Sequence, residues 1–135
     1  FKADDRAALE TLADRVKTYS HLFQKYIAAS HGKDLRVIVV GGKVLGGMLR
    51  SSETDFRSNV GLGGKAVAAD VPKAAEDYAL KAADILGLDY CGIDFLLSPS
   101  PMLCEVNSNA FFDAFEAATG INVAAAYAEH IVRNI

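Results

Sequence analysis

The chain has 135 residues, of which 51% are hydrophobic and 23% are charged, and its formal net charge is -3. This composition predicts one soluble globular domain with a sizeable core, and it lacks the positive charge of a surface that binds nucleic acid or anionic membrane. No apolar run approaches the ~20 residues of a membrane-spanning helix. The two cysteines do not suggest a disulfide, so a cytoplasmic location is expected.

The first part of the chain predicts a helix, a strand and a hairpin, in that order. Asp4 or Asp5 can cap a helix whose apolar residues recur at helical spacing up to Val16. Residues 22–28 predict a strand that ends in a turn at residues 30–32. Residues 34–51 form the clearest hairpin, with two glycines, a lysine and then a returning apolar run.

The length of the turn in this hairpin decides where two arginines lie. With a two-residue loop, Arg36 and Arg50 fall on opposite faces, whereas a three-residue loop pairs Val40 with Val44 and places both arginines on one face. Arginines within apolar strands are seldom buried without an anionic partner. The two side chains therefore either meet an anion or extend outward from the sheet edge into water.

The middle and end of the chain predict a binding loop and three further helices. Residues 52–64 are polar and glycine-rich, and they are too many for a tight turn, which indicates a binding loop. An extended piece follows at residues 66–71, and Pro72 then begins a helix that Gly87 ends. Helices near residues 111–118 and 122–134 close the chain. The order predicts an α+β fold, with an antiparallel or mixed sheet and its helices on one face.

A second hairpin, within residues 89–109, carries the most informative pattern. Its four-residue connector sets a register that pairs Asp94 with Glu105 and Gly92 with Asn107. Asp94, Glu105 and Asn107 then share one face. The residues assigned to the opposite, core face are Cys91, Ile93, Phe95, Cys104 and Val106. Two carboxylates about 5 Å apart repel by roughly 3 kcal/mol at an effective dielectric constant of about 20, so a cation is expected between them.

The chemistry of this face favours one class of metal. Two carboxylates and an amide oxygen, beside the open space at Gly92, suit Mg2+ better than zinc. The alternative is an ordinary hairpin whose carboxylates are solvated or paired with lysine. Neither glycine-lysine string, at residues 41–43 and 63–65, completes a phosphate-binding P-loop, and the three histidines lack zinc-ligand spacing.

Several short motifs occur along the chain in the order found in a known family. They are Gln24-Lys25-Tyr26-Ile27, His31-Gly32-Lys33-Asp34-Leu35-Arg36-Val37, Met48-Leu49-Arg50, Phe56-Arg57-Ser58-Asn59, Gly63-Gly64, Gly92-Ile93-Asp94 and Glu105-Val106-Asn107. Together they resemble the RimK-type ATP-grasp amino-acid ligases, over essentially the whole chain. Members include enzymes that add glutamate to protein tails or to small acids.

The resemblance implies roles for individual residues. Asp94, Glu105 and Asn107 would be Mg2+ ligands, in agreement with the hairpin register, and Arg36 and Arg50 would meet phosphate or a substrate carboxylate. The residues implied to bind the nucleotide are Lys25, Tyr26, Asp34, Arg57, Ser58 and Asn59. Many relatives have Glu at the position of Lys25. For Lys25 the resemblance therefore implies a contact between its backbone and adenine, but it does not extend to the side chain.

The implied reaction is an ATP- and Mg2+-dependent ligation. ATP would phosphorylate a small-molecule or peptide carboxylate to an acylphosphate, which the amine of an amino acid, with glutamate as the first expectation, then attacks. One or two Mg2+ ions would serve, and Mn2+ could replace them. Neither nucleic acid nor membrane is expected as a partner. The alternative function is a non-catalytic module that binds Mg-nucleotide.

The resemblance also implies a division of the chain. Family members carry further domains before the position of Phe1, so residues 1–27 are expected to be the end of a preceding ATP-binding subdomain. Residues 28–135 would form the C-terminal subdomain, which binds metal and phosphate. We expect the 135 residues alone to bind nucleotide weakly without turnover, and an exposed apolar surface would favour a homo-oligomer.

Overall fold

The computed structural model describes residues 1–58 and 63–135, which form one five-stranded sheet flanked by helices. In chain order the elements are α1 (Arg6–Val16), a 3-10 helix (Ala28–Ser30), β1 (Lys33–Val40), β2 (Lys43–Ser51), β3 (Lys65–Ala69), α2 (Lys73–Leu86), β4 (Tyr90–Leu96), β5 (Met102–Asn107), α3 (Asp113–Thr119) and α4 (Val123–Arg133). The strand order is β3-β2-β1-β4-β5, and all neighbours are antiparallel. The predicted α+β class and antiparallel sheet are confirmed. Within the described ranges, the helices are too short or too polar to cross a lipid bilayer.

Helices cover both faces of the sheet, so the prediction that they lie on one face is wrong. Successive residues of a strand point to opposite faces. Val37 and Val39 of β1 pack in a core with α2, whereas Ile38 and Val40 pack in a second core with α3 and α4. Because β1 is apolar on both sides, each side needs a covering helix.

The helix ends follow from local chemistry. The Asp5 carboxylate accepts a hydrogen bond from the Ala8 amide at 2.8 Å and caps α1, and Asn122 caps α4 in the same way. Gly87 and Gly120, with φ of 62° and 73°, end α2 and α3 in the left-handed conformation. The predicted helix bounds therefore differ from the observed ones by about two residues or fewer.

The strand predicted at residues 22–28 is wrong. Residues 20–27 have no regular secondary structure, and the 3-10 helix follows them. Leu22 and Phe23 are 79% and 59% exposed. A strand preference depends on packing against neighbouring strands, and this segment lies outside the sheet.

The hairpin of β1 and β2 reaches the predicted register by a different route. Its turn has two residues, 41 and 42, rather than three, but Leu45 is an extra residue that shifts the register beyond it. Arg50 consequently lies opposite Asp34, on the same face of the sheet as Arg36. The face that a three-residue loop predicts for the two arginines is therefore the observed one.

The hairpin of β4 and β5 keeps its predicted pairs at the site. Asp94 lies opposite Glu105, and Gly92 lies opposite Asn107. Nearer the loop, Cys104 is an extra residue on β5. The pairs between it and the connector, such as Phe95 with Leu103, therefore differ by one residue from the predicted register.

Candidate functional site

Charged side chains face one another across four strands of the sheet. Arg36 of β1 lies opposite Asp94 of β4, which in turn lies opposite Glu105 of β5. In an adjacent row, Asp34 of β1 lies opposite Arg50 of β2. The two arginine–aspartate pairs attract, whereas Asp94 and Glu105 repel, so the register places two ion pairs beside a pair of facing carboxylates.

Four of these side chains form one hydrogen-bonded network. Arg36 donates to both oxygens of Asp94, from Nε at 2.7 Å and from Nη2 at 2.8 Å. Arg50 donates in the same forked manner to Asp34, at 2.7 and 2.5 Å, and its Nη2 also reaches Asp94 Oδ2 at 2.8 Å. These side chains are no more than 13% exposed. Their two positive and two negative charges balance, which allows them to be buried.

Arg50 keeps its charge in this buried position. Burial alone lowers its pKa, but hydrogen bonds from the guanidinium to Asp34, together with the attraction of both carboxylates, raise the pKa above its ordinary value. Of the two alternatives for the arginines, the structure shows the first: both meet anions, and those anions belong to the protein itself.

A cleft of about 800 Å³ lies beside this network, between residues 1–27 and the sheet. Most of the predicted site residues meet in its lining, namely Lys25, Tyr26, Asp34, Arg57, Ser58, Asp94 and Glu105. Arg36, Arg50 and Asn107 lie behind or beside this lining rather than in it. Asn59 falls outside the described residues.

The donor atoms around Asp94 fit a magnesium ion that is shared with another ligand. A carboxylate has about four lone-pair positions, and the arginines use two on Oδ2 and one on Oδ1, so Oδ1 can still bind a cation. Glu105 is exposed and lies opposite Asp94, and Asn107 lies two residues further along β5 on the same face.

This set does not form a complete protein cage. No cluster of three or more His, Cys, Asp and Glu side chains suited to a metal occurs within residues 1–58 and 63–135. Mg2+ usually keeps several waters and combines one or two carboxylates with phosphate oxygens, which a partial set of this kind suits. The space expected beside Gly92 is filled, because a Cβ there would lie 2.5 Å from the Cβ of Ala110.

Aromatic side chains form the wall of the cleft near Lys25. The Tyr26 hydroxyl is hydrogen-bonded to Nδ1 of His31, and the ring of Phe56 approaches that of Tyr26 edge-on at 6.5 Å. The Lys2 ammonium lies 4.6 Å from the centre of the Tyr26 ring. An apolar wall with a few polar groups is typical of a small-molecule site.

The loop that carries Arg57 is fastened to the start of β1 by a glycine. Gly32 accepts from the Ser52 amide at 2.8 Å, and its own amide donates to the Phe56 carbonyl at 2.9 Å. Its φ of 63° favours glycine, and an added Cβ would lie 2.5 Å from the Ser52 carbonyl oxygen. The described end of the loop is thereby held at the cleft.

Asp55 orients Arg57, although it is not among the site residues predicted from the sequence. Its carboxylate accepts from the Arg57 amide at 2.8 Å and from the guanidinium at 3.1 and 2.7 Å. The hydrogen bonds from Arg57 lower the pKa of Asp55 to about 2. An aspartate that binds the backbone amide two residues ahead is a recognisable turn signal, so this residue could have been found.

Cys104 does not lie on the face predicted for it. The prediction places it on the core face opposite Phe95, but Phe95 pairs with Leu103, and Cys104 lines the cleft beside Glu105. Cys91 does lie in the core. Both thiols are free. A bulge has no clear sequence signature here, so the correct face of Cys104 could not be derived.

Comparison with known proteins identifies the family. A model of the RimK-like ATP-grasp domain matches residues 1–131. The chain belongs to the RimK-like ATP-grasp family. The resemblance in the sequence motifs is thus confirmed, and the flanked antiparallel sheet is the part of the ATP-grasp fold that these residues supply.

The relatives of this RimK-like chain are ligases and synthases. It is 41% identical over 134 residues to mouse N-acetylaspartylglutamate synthase A, a match that covers 96% of the chain and 35% of the relative. Human beta-citrylglutamate synthase B is 40% identical over 134 residues, with coverage of 96% and 35%. A probable alpha-L-glutamate ligase of Stenotrophomonas maltophilia strain K279a is 43% identical over 112 residues, with coverage of 82% and 38%. The RimK-like chain spans about a third of the length of these relatives.

Solved structures support the same fold. D-alanine–D-alanine ligase from Bacillus anthracis, complexed with ATP, matches with a TM-score of 0.71 at 17% identity, over 96% of this chain and 46% of that one. The ATP-grasp ligase PsnB, complexed with a phosphomimetic variant of its minimal precursor, Mg and ADP, matches with a TM-score of 0.61 at 21% identity, over 76% and 32%. The ATP-grasp fold of the RimK-like chain is therefore established.

Proposed function

We propose that the protein carrying these residues is an ATP- and Mg2+-dependent ligase that joins a carboxylate to the amine of an amino acid. Asp94 and Glu105 face each other and line the same cleft as the candidate nucleotide residues, and this observation carries the proposal. Glutamate is the proposed amino acid, because it recurs in the names of the relatives. The other substrate is a small-molecule or peptide carboxylate, activated as an acylphosphate.

The positive side chains of the site answer the main difficulty of this reaction. A carboxylate and the terminal phosphate of ATP are both anionic, so bringing them together requires fixed positive charge. Arg57 lies exposed on the cleft, and we propose that it meets phosphate or substrate. Arg36 and Arg50 are paired with Asp34 and Asp94 behind the cleft lining, and we propose that they act on the transferred phosphate and on the substrate carboxylate through Asp94 rather than by direct contact.

The metal and nucleotide contacts complete the proposal. Asp94, Glu105 and Asn107 would hold one or two Mg2+ ions, with Mn2+ as a substitute. Bound Mg2+ neutralises phosphate charge and acts as a Lewis acid. The remaining residues proposed to contact the nucleotide are Lys25, Tyr26, Ser58 and Asn59.

The same proposal covers organisation and location. We assign residues 1–27 to an ATP-binding subdomain and residues 28–135 to the metal-binding subdomain, since the cleft lies between these two parts. The 135 residues alone would bind Mg-nucleotide weakly and would not turn over. The two free thiols support a cytoplasmic location, and exposed apolar side chains such as Val132 support self-association.

The first prediction tests the metal carboxylates in the complete enzyme. Asp94→Asn and Glu105→Gln should each lower kcat by about a hundredfold or more, because they remove charge that holds the phosphates in place. The measurement is ADP formation that depends on both the carboxylate and glutamate. Asp77→Asn is the matched control, since Asp77 pairs with Lys73 on α2 and lies outside the cleft lining.

The outcomes separate the ligase from the non-catalytic alternative. Unchanged turnover in both carboxylate variants would overturn the proposal. If the complete protein binds Mg-ADP in a calorimetric titration, loses that binding in Glu105→Gln, and still forms no ADP with any carboxylate and amino acid offered, the nucleotide-binding module is the better description. Circular dichroism of each variant verifies that the fold is retained.

A further inference from the structure

Arg50 is divided between two carboxylates. Its Nε and Nη2 donate to Asp34, and the same Nη2 donates to Asp94. Asp34 is 8% exposed, and both of its oxygens accept from Arg50. This is a different environment from that of a carboxylate that extends freely toward a nucleotide.

We propose that Asp34 is a positioning residue, which holds Arg50 between the two carboxylates and thereby keeps Asp94 able to bind a cation. The inference rests on the proposed function, because it concerns the same metal carboxylate. Asp34 acts through Arg50 rather than by touching the metal. It replaces the direct nucleotide contact that the family resemblance implies for this residue.

The balance of charge supports this role. With Asp34 ionised, two arginines are shared by two carboxylates. Without the Asp34 charge, Arg36 and Arg50 would both compensate Asp94, and the network would carry one net positive charge. At an effective dielectric constant of about 20, a charge about 6 Å from a cation changes its binding by about tenfold or more.

Hydrogen-bond geometry supports the same conclusion. Arg50 now takes one position on Asp94 Oδ2, because its fork is directed at Asp34. An arginine released from Asp34 can donate two of its N–H groups to the remaining carboxylate. Arg50 would then donate a hydrogen bond to the lone pair of Asp94 Oδ1 that Arg36 leaves free, and it would compete with the cation for that position.

The second prediction measures metal binding directly, with Mn2+ as the probe and without nucleotide. In the full chain, electron paramagnetic resonance of free Mn2+ should show about tenfold weaker binding in Asp34→Asn. Binding of ADP in the presence of EDTA should stay within about twofold of the unchanged chain, since the proposed role lies in the metal carboxylate. Asp77→Asn makes the same chemical change at an ion pair on α2 and should leave both values unchanged.

Removing Arg50 should reverse the effect. Arg50→Gln alone should bind Mn2+ more tightly than the unchanged chain, and adding Arg50→Gln to Asp34→Asn should restore binding to within about threefold. A general loss of structure cannot produce this change of sign. Arg50→Gln also keeps the inference testable should Asp34→Asn fold poorly.

Three results would count against the inference. Equal Mn2+ binding in Asp34→Asn and Asp77→Asn, with binding lost in Glu105→Gln, would overturn the role of Asp34 and leave the proposed metal site standing. Weaker ADP binding in EDTA for Asp34→Asn would assign Asp34 to the nucleotide. Mn2+ binding that is absent from the unchanged chain, or unaffected by Glu105→Gln, would overturn the proposed metal site and the inference together.

Discussion

Both hairpins of the sheet keep the register that brings the charged side chains together, although neither has the expected loop length. One loop is shorter than expected and the other is longer. In the β1–β2 hairpin the turn is one residue shorter than the three-residue loop that places both arginines together, and Leu45 adds the residue back within β2. In the β4–β5 hairpin the connector has five residues, 97–101, rather than four, and Cys104 corrects the register within β5. In both, a bulge between the loop and the site keeps the charged side chains opposite their partners.

This comparison shows what the charged cluster requires of the backbone. A shift of one residue turns every later side chain of a strand to the other face. Without its bulge, β2 would direct Arg50 into the core that packs on α2, and without its own, β5 would do the same to Glu105. The site therefore depends on both strands leaving Leu45 and Cys104 out of the regular ladder.

The largest expected effect comes from replacing Arg50 itself. Arg50→Met leaves Asp34 buried without its partner, and breaking a buried ion pair in this way costs about 3–5 kcal/mol. Urea unfolding of the 135-residue chain, followed by circular dichroism, measures the loss.

Deleting Leu45 is the matched test of the bulge. The deletion joins Val44 to Gly46, which leaves a two-residue turn without a bulge and keeps Arg50 opposite Asp34. It should therefore cost much less stability than Arg50→Met. A deletion variant as unstable as Arg50→Met would show that Leu45 matters for its own packing rather than for the register.

A smaller effect is expected at Gly92, two residues before Asp94. In Gly92→Ala the new Cβ would lie 2.5 Å from the Cβ of Ala110, so the chain that leads from β5 to α3 must move. Overpacking of this kind costs about 1–3 kcal/mol in unfolding free energy. The same urea experiment applies.

The matched control lies at the tip of the other hairpin. Gly42 has φ of 69° and nothing within 4 Å of an added Cβ, so Gly42→Asn should change stability by about 0.5 kcal/mol or less. A loss in Gly92→Ala no larger than in Gly42→Asn would contradict the close approach of Ala110.

Sequence reasoning succeeded where local chemistry or alternation determines the outcome. A cap at Asp4 or Asp5, the stop at Gly87 and the facing pair of Asp94 and Glu105 all follow from residue types at fixed spacing, and the structure shows Asp5 as the cap. The order of strands in the sheet does not, because it depends on packing between distant segments. Helix cover on both faces could have been expected from the continuous apolar run of β1.

The failures have identifiable causes. Residues 22–28 have a strand-like composition but no neighbouring strand, and sequence preference alone cannot supply one. The bulges were missed because Leu45 and Cys104 are ordinary strand residues. The hydrogen bonds of Arg50 could be found only from the structure, since its two carboxylate partners are 16 and 44 residues away along the chain.

The smallest effect distinguishes the two cysteines and examines the second bulge directly. Cys91 is fully buried in the core, whereas the bulge brings Cys104 to the lining of the cleft. Burial raises the pKa of both thiols, and the charges of Asp94 and Glu105 raise that of Cys104 further. Because the thiolate is the reactive form, a raised pKa means less thiolate at neutral pH. Alkylation of Cys104 should therefore be slower than that of a free thiol and should accelerate toward alkaline pH.

Mass spectrometry after iodoacetamide treatment, from neutral to alkaline pH, should find label on Cys104 and none on Cys91 while the chain is folded. Cys104→Ser is the control. Equal protection of both thiols would place Cys104 back on the core face and remove the bulge from the description of β5.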